Sequence, residues 1–282
     1  MRYEEKKTAR HYLTAFAWTR MELDAEIRFA NTIFDTAYLR NTITGWKRLG
    51  QTLGDAAPVH RMAARWSAVL DSPIAERQMS SWCRDIYRLL PDLSLRELQF
   101  KLLHSLYYDD VRWFKMKLAT SPTCIKCGTA DGTLVHRLIT CPLLQPFWHE
   151  VLEVVGKCIA GSLRLTARML LSSMSPRNLP GSCAKARFER VAVLMACRTI
   201  LAGWIEPQLA PTIAAWFGRM ASLAQMERLD FLAGKRRPDP VYCACWDICF
   251  ATFPKSLQEE LCRNGYTLDW SCKVKGKGRG GS

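Results

Sequence analysis

Four side chains near the middle of the chain have the types and the spacing of a metal site. Cys124, Cys127, His136 and Cys141 form a C-x2-C-x8-H-x4-C array, the ligand set and the compactness that a tetrahedral zinc ion takes. Two cysteines separated by two residues fit a tight metal-binding turn. Gly128, directly after the second of them, is free to adopt the positive φ that such turns often need. His136 and Cys141 then close the site. A closed set of four protein ligands leaves no position for a metal-bound water, so the chemistry expected is one structural Zn2+ that folds a loop, and not hydrolysis. The plainer alternative is a group of buried thiols and a core histidine.

Other residue groups resemble catalytic signatures and are set aside on physical grounds. Tyr107-Tyr108-Asp109-Asp110 spells the YxDD of reverse transcriptases, whose adjacent carboxylates hold Mg2+. A polymerase palm needs strands around that turn, whereas this tetrapeptide ends a stretch of helical period, so a solvated acidic turn at a helix end is expected. His149-Glu150 begins like HExxH, but position 153 is Glu and the second ligand is missing, which leaves a surface pair. Cys243, Cys245 and Cys249 have no histidine nearby and read as buried packing beside Trp246. No Ser/His/Asp set, open metal site or phosphate-cradling glycine loop appears, so no enzyme is expected.

The elements that must position these residues read as mainly α. Apolar residues recur at spacings of three and four, as in Tyr12, Ala15, Phe16 and again in Leu98, Leu102, Leu106, the period of an amphipathic helix. Turn signals at Leu53-Gly54-Asp55, Leu90-Pro91-Asp92, Ser121-Pro122 and Ser175-Pro176 through Pro180-Gly181 divide the blocks. Ser94, three residues before Glu97, has capping-box spacing and predicts a helix running to about Asp109. Pro142 suits the first turn of a helix carrying Leu143, Leu144, Phe147 and Trp148. Two long helices are expected at about 184–205 and 211–232, the second with Pro211 in its first turn and Gly234 at its end. The expected layout is an unassigned helical segment at 1–60, helices at 61–123, the CCHC knuckle at 124–148, helices at 149–255, and an extension at 256–282 ending in a disordered basic tail.

Composition limits the partners. The chain has 282 residues, 40 Lys and Arg against 26 Asp and Glu, and a formal charge of +14, which favours an anionic partner such as nucleic acid. Residues 151–282 hold 19 basic and 10 acidic side chains, so most of the surplus lies beyond the knuckle. The N-terminus is charged, without the apolar run of a signal peptide, and no apolar run is long enough for a membrane span. Twelve cysteines without a secretory signal point to a reducing, intracellular setting, nuclear or cytoplasmic.

The segment from Ser121 to Trp148, SPTCIKCGTADGTLVHRLITCPLLQPFW, resembles the Cys/His region near the C-terminus of LINE-type non-LTR retrotransposon polyproteins. Upstream, Trp66, Trp82 and the run Arg96 to His104 resemble the helical segment before that knuckle. Downstream, Ala196, Arg198, Thr199, Ile200 and Trp204, then Pro211, Trp216, Met226 and Glu227, are similar to the terminal helices of the family. The resemblance covers about residues 61–255 and leaves 1–60 unplaced. It implies a region that follows an endonuclease and a reverse transcriptase, neither of which is expected in this chain, and that engages element RNA or target DNA.

Together these point to a zinc-dependent module binding RNA or single-stranded DNA. Candidate contacts are Lys126 and Arg137 inside the loop, Trp148 as a stacking platform, the basic run Lys235, Arg236 and Arg237, and Lys273, Lys275, Lys277 and Arg279 in the tail. The alternatives are a zinc-stapled module that docks a protein through helix faces around Trp204 and Trp216, or a truncated remnant without selected activity.

Overall fold

A computed structural model of the chain describes residues 57–90, 92–173, 181–206, 208–232, 239–266 and 268. Expectations for residues 1–56, for Lys235, Arg236 and Arg237, for Gly234 as a helix end, and for the tail with Lys273, Lys275, Lys277 and Arg279 fall outside them. Among the described residues the chain is helical, with a single isolated bridge between Thr123 and Asp131 and no strand, as the apolar period predicts. The described residues fall into two compact units, 57–76 with 113–120, and 77–112 with 121 onward.

In the first unit, α1 (Ala57–Leu70) buries Met62, Ala63 and Trp66, one side of a helical turn. It ends at Asp71, which takes the left-handed conformation (φ 47°), and Ser67 braces the exit by accepting the Ile74 N–H at 2.8 Å.

The second unit carries the Cys/His cluster. Helix α2 (Glu76–Leu89) runs into it and buries Met79, Trp82, Ile86 and Leu89, spaced three or four apart so that they form one stripe. Helix α3 (Leu93–Leu103) is capped by Asp92, whose carboxylate accepts the Leu95 N–H at 2.9 Å. The expected cap, Ser94, sits one turn position inside the helix and donates its hydroxyl to the same Asp92 carboxylate. An ionised carboxylate accepts more strongly than a hydroxyl, which is why the aspartate takes the cap. The helix also stops at Leu103, short of the expected Asp109. Ser105 turns left-handed (φ 51°), and the Leu106 and Ser105 amides bond back to Lys101 (2.8 Å) and Leu102 (3.0 Å). That is a Schellman ending made without glycine, so no sequence marker announced it.

After the short α4 (Asp110–Lys115) and the Cys/His loop come α5 (Gln145–Ile159), α6 (Ser182–Ala202), α7 (Ile213–Leu232), α8 (Pro240–Ala251) and α9 (Lys255–Arg263). α6 is the hub, packed against α3, α5, α7 and α8. Phe188, every residue from Val191 to Cys197, and Ile200 are buried, so this helix is apolar almost all round, as a core helix must be. α7 begins at Ile213, two residues after Pro211, where the Thr212 hydroxyl accepts the Ala215 N–H. Asp239 caps α8 by accepting from Val241 (2.9 Å) and Tyr242 (3.2 Å). Cys243, Cys245, Trp246 and Cys249 are all buried along α8, as their apolar surroundings lead one to expect.

Charges taken into this core are partnered, because an unpaired one is costly. Glu227 receives Arg187 at 3.0 Å and the Tyr242 hydroxyl at 2.8 Å. Arg190 donates to the carbonyls of Met169 and Leu170, which fixes the 3-10 turn Ala167–Leu170 on α6.

Candidate metal centre

The loop from Pro122 to Thr140 is held by backbone bonds that bring its two arms together. Gly128 is left-handed (φ 66°), and its N–H reaches the Cys124 carbonyl at 2.8 Å. A side chain there would meet no neighbour, so the glycine is needed for its φ alone. The Cys124 N–H bonds to Ala130 (2.7 Å) and the Gly132 N–H to Pro122 (2.8 Å), closing the first arm. The second arm is a π-turn, His136–Thr140, in which the Cys141 N–H reaches the His136 carbonyl at 2.8 Å. Widening the turn by one residue sets positions five apart over one another, which an α-turn does not do.

Cys124, Cys127, His136 and Cys141 therefore converge, with their ligand atoms all within 4.8 Å of one another. Zn–S bonds of about 2.3 Å give a tetrahedron with edges of roughly 3.8 Å, so the four could hold one metal ion with little movement. His136 turns Nε2 toward Cys127 Sγ at 3.2 Å, while Nδ1 lies 3.5 Å from the Thr140 hydroxyl. That leaves Nε2 for a metal and a partner for the other ring nitrogen, the usual arrangement around a ligating histidine. Cys124, His136 and Cys141 are buried, and Cys127 is half-buried.

The thiols differ in acidity. Burial pushes Cys127 up, but hydrogen bonds from the Thr129 hydroxyl and amide and from His136 and Cys124 outweigh it and bring the group down to about 6. Burial, reinforced by the neighbouring sulfurs, pushes Cys141 up to about 11. A thiolate at one corner and a thiol at another is the state from which a cation displaces protons.

No protein-family model matches the chain.

The residues around the cluster do other work than the sequence suggested. Arg137 is 4% exposed. It donates to Asp110 at 2.9 Å and to the Trp204 carbonyl, and its guanidinium lies over the Trp204 ring at 3.7 Å from the centroid. Burial lowers its pKa against the pull of Asp110. A buried guanidinium whose two terminal nitrogens are already taken by Asp110 and Trp204 presents nothing to a phosphate. Trp148 is likewise buried and donates its indole N–H to the Leu138 carbonyl at 2.7 Å, so it packs α5 under the loop and offers no face to a base. Lys126 donates to the carbonyls of Glu206 (3.1 Å) and Leu209 (2.8 Å), tying the loop to the segment after α6. Arg137 and Trp148 are corrected to internal roles, while Lys126 stays half-buried with its ammonium on backbone carbonyls. Sequence could not separate them from surface groups, because their partners lie 10 to 83 residues away.

Asp109 and Asp110 are corrected as well. In place of a solvated turn ending a helix, they open α4. Asp109 accepts the Arg112 N–H at 2.8 Å and the Leu134 N–H at 2.9 Å. Asp110, 7% exposed, accepts the Ile125 N–H at 3.2 Å and pairs with Arg137. Sequence reasoning missed this pair; its only signal was two adjacent carboxylates upstream of a loop containing a basic residue. His149 and Glu150, by contrast, are exposed on α5.

Proposed function

We propose that the cluster holds one structural Zn2+ and that the module binds RNA or single-stranded DNA, in a chain derived from a LINE-type retrotransposon polyprotein. The observation that carries the metal reading is the convergence of three sulfurs and one imidazole within 4.8 Å. Thiolate-rich tetrahedral sets favour zinc over hard cations. Bound to Zn2+, three thiolates leave one net negative charge, and the Lys126 ammonium beside them compensates it. The metal shapes the loop, and the function is binding, not catalysis.

The formal charge of +14 supports an anionic partner. With Arg137 and Trp148 committed to the interior, affinity rests on exposed basic side chains and therefore on phosphate neutralisation. If about five cations engage phosphates, log affinity falls with log salt at a slope of roughly 3 to 4 on single strands. Fluorescence titration of labelled single-stranded RNA and DNA across a salt series, with zinc-loaded protein, tests this. A flat salt response, or no binding at low salt, overturns it.

One observation favours a second reading, a zinc-stapled protein-interaction module. Met226, Leu229 and Leu232, spaced three apart on α7, are 64%, 52% and 74% exposed. The face expected to do this, around Trp204 and Trp216, does not serve: Trp216 is buried and bonded to the Ala192 carbonyl, and Trp204 lies under Arg137. On this reading, Leu229→Glu weakens association in sedimentation and leaves the nucleic-acid titration unchanged.

A further inference from the structure

Two adjacent carboxylates hold both arms of the metal loop, although neither is a ligand. Asp110 Oδ2 accepts the N–H of Ile125, the residue after the first ligand, at 3.2 Å. Asp110 Oδ1 takes Arg137, the residue after the histidine ligand, at 2.9 Å. Asp109 Oδ2 accepts the N–H of Leu134, two residues before that histidine, at 2.9 Å. The Asp110 N–H also donates to the Gly132 carbonyl at 3.0 Å. Gly132 is packed so closely that a Cβ there would lie 2.1 Å from Asp110 Oδ2. One turn of backbone thus contacts the cysteine arm, the middle and the histidine arm of the loop.

The separation of the two arms sets the distance between Cys124 and His136, and a tetrahedral ion demands that distance within tenths of an ångström. Charge-assisted bonds to backbone amides are the stronger kind, and Asp110, which makes one of them, is buried while Asp109 is half-buried. We propose that Asp109 and Asp110 are positioning residues of the metal centre, preorganising the loop so that the ion meets a formed site. The proposal rests on the metal-binding reading above. Outer partners of this type are worth about 10- to 100-fold in metal affinity.

The test uses the full chain loaded with Co2+ and with Zn2+. Asp109→Asn keeps an oxygen to cap Arg112, since asparagine caps as well as aspartate, but its amide then sets a donor against the Leu134 N–H. Asp110→Asn removes the charge from Arg137. Affinity is read by competition with a chromogenic chelator, and ligand geometry by the visible d–d bands of tetrahedral Co2+. Circular dichroism and melting of the metal-free proteins report folding. The expected result is a roughly 10- to 100-fold loss of affinity, faster release to chelator and weakened d–d bands in Asp109→Asn, with metal-free melting close to wild type. Glu227→Gln, which disturbs the distant Arg187 pair, lowers the melting temperature and leaves the affinity unchanged.

Wild-type affinity and d–d bands in a folded Asp109→Asn protein overturn the proposal while leaving the metal site standing. So does an equal loss in Glu227→Gln, which makes the effect one of general stability. A wild-type protein that shows no thiolate-to-cobalt band fails the metal reading itself, and the proposal with it. If Asp110→Asn does not fold, Asp109→Asn decides alone.

Discussion

Asp110 and Arg137 meet inside the protein at 2.9 Å, with side chains only 10% and 4% exposed, and the pair stands between the metal loop and the Trp204 ring. Burial pushes the Asp110 carboxyl up and the Arg137 guanidinium down, each against the other's charge. Removing one partner strands the other. Arg137→Met is therefore expected to destabilise the metal-loaded protein by about 3–5 kcal/mol in urea unfolding. The double variant Arg137→Met with Asp110→Asn should cost less than the sum of the two. Strict additivity would show that the pair is not coupled.

Close approach at Gly132 gives a second test. Gly132→Ala drives a methyl into Asp110 and should cost roughly 1–3 kcal/mol as overpacking, together with metal affinity. Gly218, inside α7, has open space around its missing side chain. Gly218→Ala should stabilise by about 0.5–1 kcal/mol through helix propensity. Equal effects from the two changes would remove the steric account.

The acidity of Cys127 has a pH signature in the metal-free protein. Its folded pKa of about 6 lies below the ordinary 9.0, so the fold favours the thiolate. The stability it contributes is complete above pH 9 and disappears as pH falls through about 6. Iodoacetamide labelling of Cys127, followed by peptide mass mapping, should titrate with a midpoint near 6, and saturating Zn2+ should suppress it. A midpoint near 9 would contradict the hydrogen bonding from Thr129 and His136.

Metal removal should be felt beyond the loop. Lys126 and Arg137 bind the carbonyls of Trp204, Glu206 and Leu209, so a loosened loop releases that segment. Chelation is expected to speed hydrogen exchange at the amides of Trp204, Glu206 and Leu209 while those of Ala192 to Cys197 in α6 stay protected. Free Zn2+ at about a thousand times Kd should add roughly 4 kcal/mol of stability, and Cys141→Ser should abolish that gain. Exchange at 204–209 indifferent to metal would separate the two elements.

Local regularities were legible in the sequence. The ligand spacing, the glycine after Cys127 and the two long helices α6 and α7 are relations within a few residues, and backbone sterics and helical geometry act over that range. Pro142, expected in the first turn of α5, instead opens a separate 3-10 turn, Pro142–Leu144, and α5 begins at Gln145. The end of α3 was not legible, because Ser105 took a conformation usually left to glycine. The π-turn that stacks His136 over Cys141 was not legible either, since nothing in HRLIT marks a widened turn.

By itself the sequence determined a mainly helical chain, four ligand side chains in an order and spacing that permit one ion, and a strong positive charge. Only the tertiary structure decided that Arg137 and Trp148 face inward, that Lys126 reaches the carbonyls of Glu206 and Leu209, and that Asp109 and Asp110 hold the loop. The reason is physical: a charged or aromatic side chain looks the same in sequence whether water or a distant carboxylate is its partner. Which partner it meets depends on segments that come together only when the core is buried.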